Sequence, residues 1–429
     1  MSSLKKNLYT NLTGTSLEAL LLFIRGIVIV KTLSVADYGN SIIVINFFAL
    51  LELIFFFRTS DIILKYHYET YDSGGPASLS SLYFFSLILP LGASILVSVP
   101  IFYFSNSISD YLYSDIDVGN LFALYVPAFI LASLNGVTTT ALRILGKYKI
   151  VVGVQLSASL VSLLLVAYCA FIGKSLSVTA VILIFSLTAI MLSLVLLAIS
   201  GIEINKRYGL FKFKPSISAL TMNFTELRNV FFGVNITAWL KSGGDIGGVF
   251  ILGLLGNSSF VAVYGLARQV VRPVGLLQTA IYNVIMPEFM KIFSKSGSGK
   301  ILPFVHKYML VTAAIFLPIL IIFNILSEDI INLFSKPEYS ESAYVATILV
   351  ATSAMTIIFL PFYPIALKFN LIGIRNWISS IRLLYIALAA YSGMSAVTLA
   401  YANFAGVATV RMLFDSQAYA KLQKTKDKT

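Results

Sequence analysis

Seven charged side chains are candidates for a site inside stretches of the sequence that are otherwise apolar and long enough to cross a bilayer. They are Glu18, Arg25, Lys241, Asp245, Arg268, Arg272 and Arg382. A charge at the centre of a bilayer costs about 3 kcal/mol or more, so such residues usually face a bundle interior or a water-filled cavity. Arginine presents planar donor forks that match phosphate oxygens. The arginines therefore predict a site for an anionic group at membrane depth.

The spacing of these charges favours a shared site. Arg268 and Arg272 are four residues apart on one helix face, where like charges repel each other. Such a pair is stabilised when an anion or a carboxylate lies between its members, and Glu18 and Asp245 could supply that carboxylate. Arg25 follows Glu18 by seven residues, so both should project from one face of the first helix.

Two interpretations remain open for these charges. Lys241 and Asp245 are four residues apart, so they could line a cavity or form a structural ion pair. The arginines at positions 25, 268 and 272 have the same alternative, a buried ion pair that serves only the fold. Arg382, Arg411 and Glu52 lie near the ends of their apolar stretches, where we expect them to snorkel to the interface.

The elements that position these charges are predicted to be about twelve transmembrane helices. The chain of 429 residues is 58% hydrophobic and 12% charged, with a mean hydropathy of +0.88, whereas soluble domains carry about 25% charged residues. A helix needs roughly 20 apolar residues to cross the hydrocarbon core. Such stretches occur at about 10–32, 38–57, 79–104, 119–141, 148–173, 176–199, 229–255, 258–285, 303–326, 343–367, 376–395 and 397–416. We expect an all-α integral membrane protein.

Basic residues are distributed unevenly among the loops. An even number of spans puts both termini on one side, and the opposite loops carry only Lys31, Lys174 and Lys336. Positive charge marks the cytoplasmic side, so both termini are expected there. The net charge of +12 is thereby explained, and its spread over short loops argues against nucleic acid as a partner. His67 and His306 fall in such loops and are expected to be solvated.

A faint internal repeat divides the chain. The sequence VADYG at 35–39 lies before and at the start of the second span, and VAVYG at 261–265 lies at the start of the eighth. At nearly the same offset, 141–143 ends the fourth span and 366–368 ends the tenth. The repeat predicts two structurally related halves.

Each predicted half contains six spans. We expect a six-helix bundle over 1–199, a cytoplasmic linker over 200–228, and a second six-helix bundle with a basic cytoplasmic tail over 229–429. An even number of helices returns the chain to its starting side, so the halves should have parallel topology around a pseudo-two-fold axis along the membrane normal. Such halves tend to enclose a cavity near the midplane and to transport by rocking about it.

No signature of catalysis or of a bound cofactor is visible. Two histidines and a single cysteine, Cys169, argue against a structural metal site. A P-loop requires G-x-x-x-x-G-K-[ST], and although 173–175 supplies its end, Tyr168 occupies the first glycine position. The loops are also too short to hold an extramembrane catalytic domain. We therefore expect neither an enzyme nor a cofactor.

Four segments resemble those of a known family. Segment 33–39 resembles the L-x-x-x-[DE]-[YF]-G turn between the first two spans, and 142–149 is similar to the L-R-x-x-x-K-[YF] segment of that family. Segment 239–253, which contains Asp245, resembles a seventh-span segment, and 332–339 resembles the outer turn before the tenth span. The resemblance covers nearly the whole chain, and the order and spacing of the motifs are specific together. It is a resemblance to the Wzx-type O-antigen and polysaccharide repeat-unit flippases.

The resemblance implies a fold, a substrate and a site. The family belongs to the MOP superfamily with MATE exporters and lipid II flippases, which implies two six-helix bundles that work by alternating access. It implies transfer of undecaprenyl-pyrophosphate-linked oligosaccharides, such as the O-antigen units of lipopolysaccharide, across the bacterial inner membrane, with other polysaccharide assembly proteins as partners. A MATE-like multidrug or cation antiporter is the alternative, and its site should be acidic. The predicted roles are pyrophosphate or sugar binding by Arg25, Arg268, Arg272 and Lys241, and charge balance or ion coupling by Glu18 and Asp245.

Overall fold

Helices dominate the part of the chain that the structure describes. The computed structural model describes residues 2–56, 59–113, 118–173, 176–216, 235, 239, 244, 246–255, 257–275, 278, 301–362, 365, 371, 378 and 380–426, without the side chains of 2–12, 65, 69, 422 and 424–426. No β-strand occurs within these ranges. Nine helices in them are long and apolar enough to cross a membrane, and two shorter ones are also apolar. The predicted spans 229–255, 258–285 and 376–395 are described only in part.

The chain forms two compact units. Unit 1 comprises Met1–Leu33 and Ile43–Trp239, and unit 2 comprises Ser34–Ile42 and Leu240–Thr429. The described helices are α1 (Ser2–Thr32), α2 (Val35–Phe55), α3 (Thr59–Tyr103), α4 (Ser105–Leu112), α5 (Gly119–Ala132), α6 (Asn135–Ile144), α7 (Tyr148–Ala167), α8 (Val178–Tyr208), α9 (Ile246–Leu255), α10 (258–275), α11 (Ile301–Phe334), α12 (Glu341–Ile358), α13 (Ile381–Tyr391) and α14 (Ala396–Lys426). The predicted bundle and linker boundaries stay a prediction.

Helix α8 shows how local sequence sets the ends of a span. Ser177 caps its start, because the side-chain oxygen accepts a hydrogen bond of 3.1 Å from the backbone N–H of Ala180. Lys206 and Arg207 lie in the last turn, where positive charge complements the helix dipole. Gly209 then ends the helix in the left-handed conformation, with φ of 65°. The helix therefore extends beyond the apolar stretch into a basic end.

Aromatic packing joins α2 to α5 inside unit 1. Phe48 is fully buried, and its ring contacts Phe122, Tyr125 and Phe129, with centroid separations of 6.2, 5.0 and 5.3 Å. Aromatic pairs at such distances stabilise a core beyond the area that they bury. The cluster fixes Tyr125 on the inner side of α5.

His67 is buried, which contradicts the predicted solvated position. It lies on the first part of α3, before a kink at Gly75, where φ is 66°. Its Nδ1 lies 3.0 Å from the hydroxyl of Tyr83, and its Nε2 lies 3.0 Å from the hydroxyl of Tyr208 on α8. Because the buried His67 ring bonds through both nitrogens, it connects the first part of α3 to the end of α8.

We expect this contact to loosen in acid. Burial lowers the pKa of His67 below its usual 6.5, so the folded protein favours the neutral ring. The contact should contribute its full stability above pH 6.5 and lose it as the pH falls through the lowered pKa. Hydrogen exchange of residues 59–74 should therefore rise on acidification. His67→Gln should remove this pH dependence, and a wild-type exchange rate that stays flat with pH would contradict the assignment.

The two glycines of the internal repeat lie where α2 and α10 approach closely within unit 2. A Cβ atom at Gly39 would overlap the backbone carbonyl of Ser258, and one at Gly265 would overlap the side chain of Ile42. Small residues at such positions let membrane helices approach each other. Close packing between α2 and α10 therefore explains the glycine in both copies of the repeated Tyr-Gly sequence.

Gly39→Ala should destabilise unit 2 by about 2 kcal/mol, because overpacking a close contact typically costs 1–3 kcal/mol. The obstructing atoms belong to the backbone of Ser258, which cannot rotate away as a side chain can. The measurement is thermal unfolding in detergent. Gly247→Ala is the matched control, since a Cβ there meets no atom within 4 Å. Equal unfolding temperatures for both variants would show that the close approach does not matter.

Candidate functional site

Arg25 is held inside unit 1 by two other helices. Its Nη1 donates a hydrogen bond of 2.8 Å to the hydroxyl of Ser162 on α7, and Ser162 is buried. Its Cζ lies 4.0 Å from the centroid of the Phe185 ring on α8, which is a cation–π contact. Arg25 itself is half-buried at mid-length of the span Thr13–Thr32. The structure therefore places this guanidinium at membrane depth in a fixed position.

A carboxylate and a phenol share the surroundings of Arg25. The charges of Glu52 on α2 and of Arg25 on α1 both act on the hydroxyl of Tyr125 on α5. Glu52 is half-buried as a residue, while its carboxyl group is enclosed by protein atoms. The expectation that Glu52 snorkels to the interface is therefore wrong. Its last-turn position in α2 suggested an exposed end, but just beyond that turn the ring of Phe56 contacts that of Phe129 on α5, with centroids 4.9 Å apart.

Three further residues were predicted to belong to the site: Glu18 on the first helix, and Lys241 and Asp245 in the seventh span. Glu18 is half-buried on α1, two turns before Arg25. Lys241 and Asp245 lie outside the described residues. The roles predicted for these three residues stay predictions.

Arg268 and Arg272 lie one turn apart on α10 in unit 2, and both side chains are exposed. Next to Arg268, the side chain of Gln269 accepts a hydrogen bond of 3.2 Å from the hydroxyl of Tyr38. This bond ties the first turn of α2 to the same stretch of α10. Arg268 and Arg272 therefore lie on the same side of α10, as their spacing predicted.

Arg382 forms a buried network that the sequence did not predict. Its Nε and Nη2 both donate to Oδ1 of Asn403 on α14, at 2.9 and 2.8 Å. The amide of Asn403 donates in turn to the hydroxyl of Tyr264 at 2.9 Å, and Asn403 and Tyr264 are each only 2% exposed. Glycines admit the side chain, because a Cβ at Gly244 or Gly406 would lie 3.0 or 2.8 Å from it. The expected snorkelling of Arg382 is therefore wrong.

Arg411 was also expected to snorkel, and it instead caps a neighbouring helix. Its guanidinium lies 3.7 Å from the carboxylate of Asp415, and its donors lie 3.4 and 3.5 Å from the carbonyls of Thr356 and Phe359. These carbonyls belong to the end of α12, where cations complement the helix dipole. A structural role accounts for this residue.

A signal for Arg382 was present in the sequence. Asn403 is an amide inside the apolar start of α14, and buried polar groups in membrane helices usually bond to a partner on another helix. Pairing Asn403 with the nearest basic residue on an adjacent span would have suggested Arg382. Among the residues that the structure describes, no group of three histidine, cysteine or acidic side chains could hold a metal ion.

Comparisons with known proteins agree with this architecture. A family model described as "Polysaccharide biosynthesis protein" matches residues 28–344. No curated protein matches the sequence. Among solved structures, a multidrug resistance MATE family transporter of the MOP superfamily in an inward-facing conformation is 14% identical with a TM-score of 0.70, and the alignment covers 95% of this chain and 96% of that one.

Two further structures extend the likeness. The lipid II flippase MurJ in an inward closed conformation is 13% identical with a TM-score of 0.71, covering 96% of this chain and 89% of that one. A MOP superfamily transporter from Pyrococcus furiosus is 14% identical with a TM-score of 0.62, covering 97% and 95% of the two chains. At such identities the likeness shows the fold, which confirms the predicted all-α, MATE-like membrane architecture of about twelve helices.

Proposed function

Because the chain belongs to the polysaccharide biosynthesis protein family, which confirms the resemblance to Wzx-type MOP flippases, we propose that it flips lipid-linked oligosaccharides across the bacterial cytoplasmic membrane. The proposed substrate is an undecaprenyl-pyrophosphate-linked repeat unit of O-antigen or a similar surface polysaccharide. Transport would proceed by alternating access, with both termini in the cytoplasm and with other polysaccharide assembly proteins as partners. No catalytic step is required, since the substrate is moved and not changed.

The position of Arg25 is the observation that carries this proposal. A pyrophosphate cannot cross hydrocarbon unaided, because an unpaired charge there is strongly disfavoured. Arg25 offers a permanently charged, planar donor group at membrane depth, and Ser162 and Phe185 hold it in place. Such a pre-positioned guanidinium can replace part of the hydration that the pyrophosphate loses on leaving water.

Further support comes from the sign of the candidate charges. Among the predicted site residues that the structure describes, Arg25, Arg268 and Arg272 outnumber the single carboxylate, Glu18. This balance favours an anionic substrate. The second candidate, a multidrug or cation antiporter, rests on the structural likeness to MATE transporters. The enclosed carboxyl group of Glu52 would suit a cation, but the positive charge of Arg25 acts on the same tyrosine, Tyr125.

A strain that lacks the gene distinguishes the two candidates. We expect loss of the surface polysaccharide and accumulation of complete lipid-linked units on the cytoplasmic leaflet, measured by mass spectrometry. Expression of the wild-type gene should reverse both changes. Normal polysaccharide without accumulation would overturn the flippase proposal, and increased sensitivity of the same strain to organic cations would then support the antiporter.

A further inference from the structure

After α8 ends, the chain turns back along the same helix in a short return segment, residues 209–216. Gly209 reverses the chain direction, and the backbone N–H of Phe211 donates a hydrogen bond of 3.0 Å to the side-chain oxygen of Asn205. The ring of Phe211 lies next to Gly201, where a Cβ atom would be 3.4 Å from its Cζ. The return segment therefore lies beside the last two turns of α8.

Contacts with α3 hold the return segment in place. Leu210 is buried and belongs to a hydrophobic cluster formed with α3, α6 and α8. The hydroxyl of Ser80 donates to the carbonyl oxygens of Leu210 and Phe213, at 3.2 and 3.4 Å. The backbone N–H of Ser216 donates a further hydrogen bond of 3.0 Å to the hydroxyl of Ser81. Because its backbone is bonded along its length, the segment presents its remaining side chains in a defined direction.

The exposed side chains of the return segment alternate between aromatic and basic residues. Phe211 is 74% exposed, and the side chains that follow it, Lys212, Phe213 and Lys214, are exposed as well. An exposed phenylalanine ring is unfavourable in water, whereas contact with hydrocarbon is favourable. Lysine can lay its methylene stem along apolar surface and keep its ammonium group in water. Together these residues suit a boundary between hydrocarbon and water.

The position of the Phe211 ring identifies that boundary. Its neighbour Gly201 lies two residues beyond the apolar stretch 176–199. Ile202, the next residue on α8, is 64% exposed, as expected for a residue that faces lipid. The ring therefore lies where the hydrocarbon ends, and Lys212, which directly follows it, lies at the level of the lipid headgroups.

Further cations lie at the same end of unit 1. Arg207 is exposed in the last turn of α8, and Arg143 and Lys149 are exposed on the two sides of the connection between α6 and α7. An ion pair of 3.1 Å between Lys147 and Glu203 ties that connection to α8. These residues carry an excess of positive charge, which complements an anionic partner.

We propose that the return segment binds anionic phospholipid in the leaflet where α8 ends, which is the cytoplasmic leaflet in the proposed orientation. Lys212 and Lys214 contact the headgroup phosphate, and the two phenylalanine rings contact the acyl chains. Phosphatidylglycerol offers an uncompensated phosphate, whereas the headgroup of phosphatidylcholine carries its own cation. The inference requires only that unit 1 spans a membrane, so it goes beyond the proposed function and does not depend on the substrate that the protein moves.

Photo-crosslinking of the full-length protein in nanodiscs tests the position of the lipid. The probe is a phosphatidylglycerol that carries a diazirine at the start of one acyl chain, diluted into phosphatidylcholine. We expect label on the peptide that contains residues 209–216, and competition by unlabelled phosphatidylglycerol. Absence of label on this peptide would overturn the proposal. Equal labelling by a diazirine phosphatidylcholine would also overturn it, because the segment would then contact bulk lipid without selecting anionic headgroups.

Charge variants measure the contribution of the two lysines. Each lysine near an anionic membrane surface contributes roughly a factor of five in affinity. Lys212→Gln should therefore weaken binding of phosphatidylglycerol about fivefold, and the double variant with Lys214→Gln about 25-fold. Native mass spectrometry of the full-length protein with added phosphatidylglycerol measures the affinity. Lys31→Gln is the matched control, because it removes one exposed cation elsewhere in unit 1, and it should bind like the wild type.

The control residue Lys31 lies at the opposite end of unit 1 from the return segment. Gly14, in the first half of α1, packs against Val152 near the start of α7. Lys147, just before α7, pairs with Glu203 near the end of α8. The start of α1 and the end of α8 therefore lie at the same end of unit 1, whereas Lys31 is in the last turn of α1.

The aromatic ring separates a lipid from a soluble acidic partner. Phe211→Ser keeps both lysines and should still weaken binding of phosphatidylglycerol severalfold, because the acyl chains lose their contact. Wild-type affinity of this variant would assign the lysines to a soluble anion and overturn the proposal. Wild-type affinity of the double lysine variant at an unchanged unfolding temperature would overturn it too. An equal loss in Lys31→Gln and Lys212→Gln would do the same, since binding would then follow net charge alone.

Discussion

Replacement of Arg25 by alanine is expected to lower transport of lipid-linked units by roughly 10- to 100-fold at an unchanged protein level. Hydrogen bonds to charged groups contribute about 1.5–3 kcal/mol each, and each 1.4 kcal/mol is a factor of ten. The alanine variant removes the whole guanidinium, whereas Arg25→Lys keeps a positive charge without the planar fork. Lysine should therefore restore only part of the activity. The measurement is the rate at which surface polysaccharide reappears after expression is induced in the deletion strain.

Controls separate the charge of Arg25 from its packing. Ser162→Ala removes the 2.8 Å hydrogen bond but leaves the guanidinium, so transport should fall much less than in Arg25→Ala. Lys206→Ala removes an exposed cation from the last turn of α8 and should leave transport unchanged. If Arg25→Ala and Ser162→Ala impair transport and unfolding temperature equally, Arg25 serves the fold and the proposed role in substrate binding is wrong.

The transmembrane spans were largely predictable, because a bilayer imposes both a length and a composition. The stretch predicted at 148–173 corresponds to the observed span Tyr148–Ile172. The stretch predicted at 176–199 is longer in the structure, where α8 continues to Tyr208. Hydropathy detects only the part of a helix that lies in hydrocarbon, while the backbone continues until Gly209 ends it. Helix α3 exceeds its predicted span at the other end for a similar reason, since its polar first part begins at Thr59.

The environment of individual polar residues was less predictable. Snorkelling was inferred for Arg382 from its distance to a helix end, but its position depends on Asn403, which is 21 residues away in sequence. His67 was expected to be solvated because it lies in a predicted cytoplasmic loop, yet Tyr83 and Tyr208 enclose it from two other places in the chain. The depth of Arg25 could be predicted, since it lies near the middle of its span, where snorkelling cannot reach water, while its role in substrate binding stays a prediction. Distance from the interface is readable in a sequence, whereas the partners on other helices are not.

Substitution of Asn403 by leucine is expected to be the most destabilising change in unit 2. It removes the acceptor of two Arg382 donors and leaves the hydroxyl of Tyr264 without this partner. Hydrogen bonds to a charged group contribute about 1.5–3 kcal/mol each, and the half-buried Arg382 loses its two bonds to Asn403. The leucine side chain has the same branching as asparagine but is larger, so overpacking at this buried position adds about 1–3 kcal/mol to the loss. Thermal unfolding in detergent measures the loss.

A graded series tests the network and not merely the residue. Tyr264→Phe keeps the ring and removes the hydroxyl that accepts the hydrogen bond from Asn403, which contributes about 1 kcal/mol. Asn324→Leu replaces an exposed amide on α11 by the same side chain as Asn403→Leu and should leave the unfolding temperature unchanged or slightly raised. The expected order of destabilisation is Asn403→Leu, then Tyr264→Phe, then Asn324→Leu. If Asn403→Leu unfolds at the wild-type temperature, the Arg382 network does not hold unit 2 together, and Arg382 would have to be reconsidered as a residue that reaches the interface.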